Sequence, residues 1–353
     1  MLPRSPRTRR LLALVLLALA AVGTVALVVS GTPDDRPRFA DPREAADGST
    51  VVAVARVSGA QGLAVVDGEV RVTNLQALTR TVVDPDTGEV GEARVIGGLG
   101  RLERSVAGEG ARWLVGTDGL LRLDPDSGDV LDTVPLDAPG GVVAVGEGAV
   151  WITVARLPVP GGGGATSSVI QRVDVATGEV LSLPVEDGVT FRFALGDGAA
   201  WATAGRTLFR LDVTSLVPTG EVELPEPTSG LVVADGVVWA VTAPPDDGGP
   251  ATLVGVDAAT LDTVAPIDLG PGAVDDVALR RTDDGHELWI VRPESATVTR
   301  VALPADGDGA TVVDVAVDRP REVEVDGDRV WVTSGADGGT LWRIDVAPLA
   351  PSP

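Results

Sequence analysis

The residues best suited to binding or catalysis are charged and polar side chains that lie a fixed distance before a recurring tryptophan in the sequence. Counted back ten and nine residues from that tryptophan slot, and further back before Trp289, where the chain has an insertion, they are Gln61, Glu103, Arg104, Arg192, Asp275, Asp276, Arg321 and Glu322. A mixed charged ring can bind a polar ligand or position acid–base pairs, because a low-dielectric cleft strengthens charge interactions. The alternative is a water-filled channel in which these charges pair with one another.

The residue types that are missing limit the possible chemistry. The chain has no cysteine, which excludes disulfides, thiolate metal sites and thiol catalysis. Its one histidine is His286, so few general bases remain apart from carboxylates. No Ser-His-Asp set, phosphate-binding glycine loop or zinc spacing is present. We therefore expect no catalytic residue, no metal and no cofactor, and interpret the charged positions as candidates for ligand binding.

The tryptophan slot repeats along the whole body of the chain. It falls at residues 71, 113, 151, 201, 239, 289 and 331, with Arg71 in place of tryptophan in the first copy. Four short strand-like runs surround each slot, and a period near 40–45 residues with four strands is typical of a β-propeller. The tryptophans recur too regularly for a sugar or base platform, and we expect them to pack between blades.

The repeat predicts an all-β, seven-bladed β-propeller with four-stranded antiparallel blades. The last copy supplies three strands and then ends in a proline-rich tail at 347–353, so its outer strand is missing. Residues 51–57 form an apolar run ahead of the first copy and can complete that blade. Such a closure leaves no open sheet edge at the seam.

Aspartates open the turns between the third and fourth strands. In the turn that starts at Asp84, proline follows the aspartate and Gly88 comes four residues after it, and the copies at Asp124 and Asp174 are similar. Calcium sites also need several carboxylates, but none of these loops has the full spacing of an EF-hand. The pattern favours turns, in which aspartate accepts backbone hydrogen bonds and glycine adopts a positive φ.

The N-terminal segment predicts a membrane anchor. Four arginines lie within residues 1–10, and residues 11–29 contain no charge, which is about 28 Å of helix at ~1.5 Å per residue. We expect a cytoplasmic tail at 1–10, a transmembrane helix at 11–29, a flexible stalk at 30–48 and the propeller at 49–346. The alternative is a cleaved signal peptide, after which the body would be secreted. In both cases the body lies outside the cytoplasm.

The charge of the body limits its partners. From residue 49 onwards there are 21 arginines, no lysines and 46 acidic residues, for a net charge of −25. Phosphate contacts need clustered basic residues, so we expect no nucleic acid. The acidic surface also disfavours binding to an anionic bilayer. A protein or polymer of the cell envelope is the expected partner.

The repeat resembles the bacterial propellers grouped around streptogramin-lyase-like and YVTN-type proteins. The phrases VWVTSGADGGTLWRID (330–345), AVWITVAR (149–156), VRVTN (70–74) and GTDGLLRLDPDSGDV (116–130) carry the resemblance, which spans residues 49–345. The resemblance implies a propeller. Lyases of that group use histidine and glutamate with a divalent metal, and here the only histidine lies in the turn at 283–287, on the face opposite the usual site.

We therefore expect a membrane-anchored, extracytoplasmic propeller that binds a protein or polymer without catalysis, as a binding or scaffold module. The alternative is a metal-dependent lyase or hydrolase of the propeller type that uses the carboxylates at the channel mouth.

Overall fold

The computed structural model of this chain describes residues 42–66, 68–96, 102–116, 119–125, 127–136, 140–156, 167–185, 192–246, 248–305, 309–335 and 338–348. The predicted cytoplasmic tail, transmembrane helix and most of the stalk lie outside these residues. Within them, no helix has both the length and the apolar character needed to cross a membrane.

The described residues form seven antiparallel sheets, each of which is one blade of a propeller. The chain enters through β1 (Arg43–Glu44) and β2 (Thr50–Arg56). Blades 1 to 3 follow, and from the inner to the outer edge their strands are β3 (Gly62–Val66), β4 (Glu69–Asn74), β5 (Thr79–Val83) and β6 (Arg94–Val95); β7 (Leu102–Gly108), β8 (Ala111–Gly116), β9 (Gly119–Leu123) and β10 (Val130–Val134); and β11 (Gly140–Gly146), β12 (Ala149–Arg156), β13 (Ser167–Asp174) and β14 (Val180–Val185).

Blades 4 to 6 repeat the same order of four strands. They are β15 (Phe193–Gly196), β16 (Ala199–Ala204), β17 (Thr207–Asp212) and β18 (Pro218–Glu223); β19 (Thr228–Ala234), β20 (Val237–Thr242), β21 (Ala251–Asp257) and β22 (Ile267–Gly270); and β23 (Asp276–Thr282), β24 (Gly285–Arg292), β25 (Thr297–Pro304) and β26 (Thr311–Ala316). Blade 7 contributes β27 (Pro320–Asp326), β28 (Arg329–Ser334) and β29 (Thr340–Asp345). The predicted seven-bladed fold is confirmed.

The ring closes through its N-terminal strand. β2 pairs antiparallel with β29, from Thr50 opposite Asp345 to Arg56 opposite Thr340. Backbone bonds continue this seam past the strand, since the amide of Val57 donates to the carbonyl oxygen of Gly339. The closure predicted for residues 51–57 is confirmed. The structure adds the short strand β1, which covers the outer edge of β2 and protects the seam from pairing with another chain.

The aspartate turns are held by their own side chains. The carboxylate of Asp84 accepts hydrogen bonds from the amides of Asp86 and Thr87, at 3.0 and 2.7 Å. Hydrogen bonds from Thr87 and Asp86 lower the pKa of Asp84. Gly88 takes the positive φ of 70° that closes the turn. The turn interpretation is therefore confirmed at this position, and the equivalent carboxylates at Asp174, Asp212 and Asp257 accept the same pair of amides.

The tryptophans pack between neighbouring blades, as the sequence predicts. Trp151, Trp201, Trp289 and Trp331 are fully buried. Trp201 of blade 4, for example, belongs to one hydrophobic cluster with Val238 and Val256 of blade 5. Fully burying a large side chain contributes roughly 1.5–3 kcal/mol, so this recurring contact is a main source of cohesion around the ring.

Candidate ligand site at the channel mouth

Two of the predicted charged residues fasten neighbouring inner strands to each other. The carboxylate of Asp276 in β23 accepts a 3.0 Å hydrogen bond from the amide of Val323 in β27. One blade further round, the carboxylate of Glu322 accepts a 2.9 Å bond from the amide of Leu63 in β3. These carboxylates therefore join blade 6 to blade 7 and blade 7 to blade 1.

Arg192 makes an equivalent link with a donor instead of an acceptor. Its Nε donates to the carbonyl oxygen of Ser229 at 2.6 Å, which joins blade 4 to blade 5. Its backbone amide also donates to the hydroxyl of Thr203 within its own blade, at 3.1 Å. Removing this side chain would therefore weaken the ring as well as the mouth.

The insertion in blade 6 does not move Asp276 out of the ring. In β23 and β24, Trp289 is paired with Ala278 and the hairpin continues as far as Thr282 opposite Gly285. The same hairpin of blade 7 ends sooner, at Asp326 opposite Arg329. The extra length therefore lies in both strands of the hairpin, two residues in each, and it projects away from the mouth. Asp276 stays level with Glu322.

The other members of the predicted set differ in their surroundings. Gln61 is half-buried beside the first blade. Its backbone amide donates to the carbonyl oxygen of Thr73 at 3.1 Å, and its side-chain oxygen has no hydrogen-bond partner among the described residues. Glu103 and Arg104 lie at the start of β7, where Arg104 is opposite Val115, and their side chains lie outside the described set.

Among the predicted residues whose side chains the structure describes, Asp275 and Arg321 are the ones that remain exposed at the mouth. Nearby protein displaces part of the water around the carboxyl group of Asp275, and this burial raises its pKa even though Arg321 and Arg192 act in the opposite direction. Glu294, on the loop after β24, adds to the rise. These groups can offer charges of both signs to a ligand above the channel.

The channel below the mouth contains a carboxyl group that the sequence analysis missed. The cavity measures about 270 Å³, and its walls include Leu63, Val106, Val143 and Val232 on one side and Asp276, Glu322 and Glu324 on the other. Burial, followed by the nearby charge of Asp276, raises the pKa of Glu324 to about 7. Glu322 and Glu324 are two residues apart in the inner strand β27. Because side chains alternate along a strand, this spacing places both on the same face, and it could have identified Glu324 from the sequence.

This set of groups can bind polar ligands and exchange protons, since Glu324 is partly protonated near neutral pH. In the part of the chain that the structure describes, no group of three histidine, cysteine, aspartate or glutamate side chains is positioned to hold a metal ion. The mouth therefore presents charge and hydrogen-bonding capacity, with the acids concentrated on blades 6 and 7.

His286 lies at the far end of the blade from the mouth. It follows the turn at the Thr282 end of β23, whereas Asp276 begins that strand at the channel. The imidazole is buried against Trp239, with ring centres 6.0 Å apart, and burial lowers its pKa despite the opposing charge of Asp235. The one histidine of the chain is thus separated from the candidate site.

Comparison with solved structures agrees with this architecture. The chain is similar to the WD40 domain of Neurospora crassa Pan2, with a TM-score of 0.65 and 11% identity over 88% of this chain and 100% of that chain. The chain is a seven-bladed propeller, and the solved structures similar to it include a WD40 domain. It is also similar to a chain in the crystal structure of a mitotic checkpoint complex, with a TM-score of 0.63 and 14% identity over 89% of this chain and 95% of that chain.

Neither the comparison with protein-family models nor the comparison with curated proteins gives a match. At identities of 11% and 14% the structural likeness shows the fold alone. Fold and function separate readily among propellers, so a function has to be argued from the surfaces of this chain. The resemblance to streptogramin-lyase-like and YVTN-type proteins stays a prediction.

Proposed function

We propose that this chain is a non-catalytic binding or scaffold module that holds a protein or polymer of the cell envelope on the mouth face of its propeller. The observation that carries the proposal is the pair of exposed, oppositely charged residues, Asp275 and Arg321, at the channel mouth. The neighbouring Asp276 and Glu322 are already bonded to backbone amides, so the exposed pair is the part of the set that faces a partner.

A rigid closed ring suits this role. Adjacent blades are joined through backbone pairing at the seam and through side-chain bonds at the mouth, and such a frame presents loops in fixed positions. One of the similar solved structures is a chain of a mitotic checkpoint complex, which supports a role in binding other proteins. A partner that carries both charge signs would be attracted to the mouth while the acidic outer surface repels other anions.

The location outside the cytoplasm is part of the same proposal. It is supported by the uncharged stretch at 11–29 and by the arginines that precede it, which favour retention of the N-terminus inside the cell. Fractionation of cells that express the full-length chain tests this. Recovery in the membrane fraction with an intact N-terminus supports the anchor, and recovery outside the cell after cleavage supports secretion.

The binding role is tested by in-cell crosslinking of the full-length chain, followed by quantitative mass spectrometry. The variant with Asp275→Ala and Arg321→Ala should lose its crosslinked partner. The matched control carries Asp283→Ala and Asp284→Ala, which changes two exposed charges at the opposite face and should keep the partner. Arg192 is unsuitable here, because its loss also removes the bond to Ser229.

Equal recovery of the partner with the mouth variant would refute the proposed site. An eliminative or hydrolytic activity that EDTA abolishes and a divalent ion restores would refute the non-catalytic role and establish the metal-dependent alternative.

A further inference from the structure

The interface between blade 1 and blade 2 differs from the other six interfaces at two core positions. The first is the residue two places before the cross-strand partner of the tryptophan slot. Six blades have a buried aliphatic residue there, namely Leu120, Ile170, Leu208, Leu253, Val298 and Leu341. Blade 1 has Arg80.

The second position is the residue just before the tryptophan slot. Six blades have a fully buried aliphatic residue there, namely Val70, Val150, Ala200, Val238, Leu288 and Val330. Blade 2 has Arg112, which is 1% exposed.

The two positions meet across each blade interface, so the two arginines meet across this one. Leu120 of blade 2 and Val150 of blade 3 share one hydrophobic cluster, and the corresponding pairs share a cluster at the other five aliphatic interfaces. Between blades 1 and 2, the same place in the repeat holds two guanidinium groups. Replacing a buried aliphatic pair with two like charges is costly unless an opposite charge accompanies them.

More arginines gather at the same place. Arg94 of β6 lies directly opposite Arg80 of β5, although like charges in facing positions are destabilising. Arg71, in the tryptophan slot of blade 1, approaches from the same side, where it forms a salt bridge with Glu69 at 3.0 Å. Among the described carboxylates, none forms a salt bridge with Arg80 or Arg94.

Burial and the close approach of these arginines lower the pKa values of Arg112 and Arg80. Burial, followed by the charges of Arg80 and Arg71, lowers the pKa of Arg112 to about 9. Burial, followed by the charges of Arg71 and Arg94, lowers the pKa of Arg80, although the charge of Glu69 acts in the opposite direction. Each guanidinium group therefore makes its neighbours harder to keep charged. This gathering occurs in a body whose net charge is strongly negative, so it does not reflect a generally basic surface.

The arginines surround a cavity of about 190 Å³. Arg80, Arg94 and Arg112 line it together with apolar residues that include Leu114 and Val130. Among the described residues that line it, the one acid is Asp129, which is exposed and accepts the hydroxyl hydrogen of Ser127 at 2.9 Å. Gly128 gives the Arg80 guanidinium its room, because a Cβ there would lie 2.6 Å from an Nη atom.

We propose that the interface between blade 1 and blade 2 is an oxyanion site, in which Arg80, Arg94 and Arg112 bind the phosphate or carboxylate group of a small ligand. Arginine binds both groups in a fork geometry that matches two oxygens. The cavity is large enough for the anionic group and a short apolar arm. Val95, which is 79% exposed, and Val130 supply an apolar rim for that arm. This site lies between two blades and is separate from the binding role proposed for the channel mouth.

The test uses calorimetric titration of the full-length protein in a non-ionic detergent. The probes are sodium phosphate and sodium malonate, with sodium chloride at matched ionic strength as the blank. Saturable binding of phosphate alone assigns a phosphate ligand, and binding of malonate alone assigns a carboxylate ligand. Either result supports the site.

Two variants then locate the binding. Arg80→Leu introduces the residue that most blades have at this position, and Arg94→Gln changes an exposed side chain. Each should weaken binding by about tenfold or more, because a charge-assisted hydrogen bond is lost. The control, Arg206→Leu, removes an arginine of blade 4 whose side chain is 50% exposed, and should bind as the parent does.

A stability measurement distinguishes a binding role from a structural one. In chloride buffer, the variant with Arg80→Leu and Arg112→Val should be more stable to heat than the parent, because buried like charges are replaced by the aliphatic pair of the other interfaces. Absence of saturable binding by both anions would overturn the proposal. So would parental affinity in both Arg80→Leu and Arg94→Gln, or lower stability of the double variant.

Discussion

Trp151 and Arg172 lie directly opposite each other in blade 3, and the guanidinium carbon is 6.0 Å from the centre of the indole ring. The Nε of Arg172 then donates to the carbonyl oxygen of Val213 in blade 4, at 2.7 Å. One arginine thus covers the tryptophan of its own blade and bonds to the turn of the next. The ring contacts recur at Trp113–Arg122, Trp201–Arg210 and Trp289–Arg300.

The same link explains the exception in blade 1. Arg71 occupies the tryptophan slot and itself donates to the carbonyl oxygen of Pro125 in the turn of blade 2. In blade 5 Gly255 stands in place of the arginine, and a Cβ there would lie 2.5 Å from Cγ2 of Val264 and 2.9 Å from a ring atom of Trp239. Blade 1 thus keeps the contact with the next blade through a different residue.

We expect Arg172→Lys to destabilise the protein by about 1–2 kcal/mol. Lysine cannot place a planar group over Trp151 and donate to Val213 at the same time. The matched control is Arg206→Lys, at a side chain that is 50% exposed beside Glu223, which is 63% exposed, and a change within about 0.5 kcal/mol is expected. Urea unfolding followed by tryptophan fluorescence measures both. Equal losses for the two variants would contradict the linking role.

Asp47 anchors the segment that precedes the closing strand. Its side chain is fully buried, and it accepts a 2.7 Å bond from Arg300, which is itself 1% exposed and also contacts Glu287. Although burial alone would raise the pKa of Asp47, hydrogen bonds from Arg300 and Ser49 hold it below its usual value.

We therefore expect Asp47→Asn to cost about 3 kcal/mol of unfolding free energy, because it leaves a buried guanidinium group short of one counter-charge. Asp86→Asn is the control, since Asp86 pairs with Arg329 at 2.8 Å but is 72% exposed, and its loss should cost less than about 1 kcal/mol. Chemical denaturation at neutral pH compares the two. A loss at Asp47 as small as that at Asp86 would show that the buried pair does not secure the seam.

The raised pKa of Glu324 predicts how stability changes with pH. The folded chain holds a proton on this carboxyl group up to about pH 7, whereas the unfolded chain releases it near the ordinary value of 4.5. The folded state thus binds more protons between those values, and the contribution of this group to stability falls as pH rises through that window.

Glu324→Gln should remove this dependence, because glutamine has no proton to lose. The variant should be more stable than the parent at pH 8, by an amount on the order of 3 kcal/mol, and nearly equal to it at pH 4.5. Guanidinium unfolding at the two pH values gives the comparison. A stability difference that is the same at both values would contradict the titration of Glu324 in this window.

Much of the architecture was predictable because it rests on local and repeated signals. Alternating apolar residues predict the strands, aspartate and glycine predict the turns that start at Asp84, and the regular tryptophan slots predict the number of blades. Closure by residues 51–57 followed from counting strands. The short strand β1 was not predicted, because two residues carry no periodic signal.

The roles of the charged residues were decided by tertiary structure. The sequence placed Asp276 and Glu322 at one mouth, but only the packing of neighbouring blades showed that each accepts a backbone amide of the next inner strand. Arg80 and Arg112 likewise belong to different repeats, and they form one cluster because blades 1 and 2 pack face to face. Sequence patterns record which face of a strand is apolar, whereas the partner of a charge depends on which distant strand packs against that face.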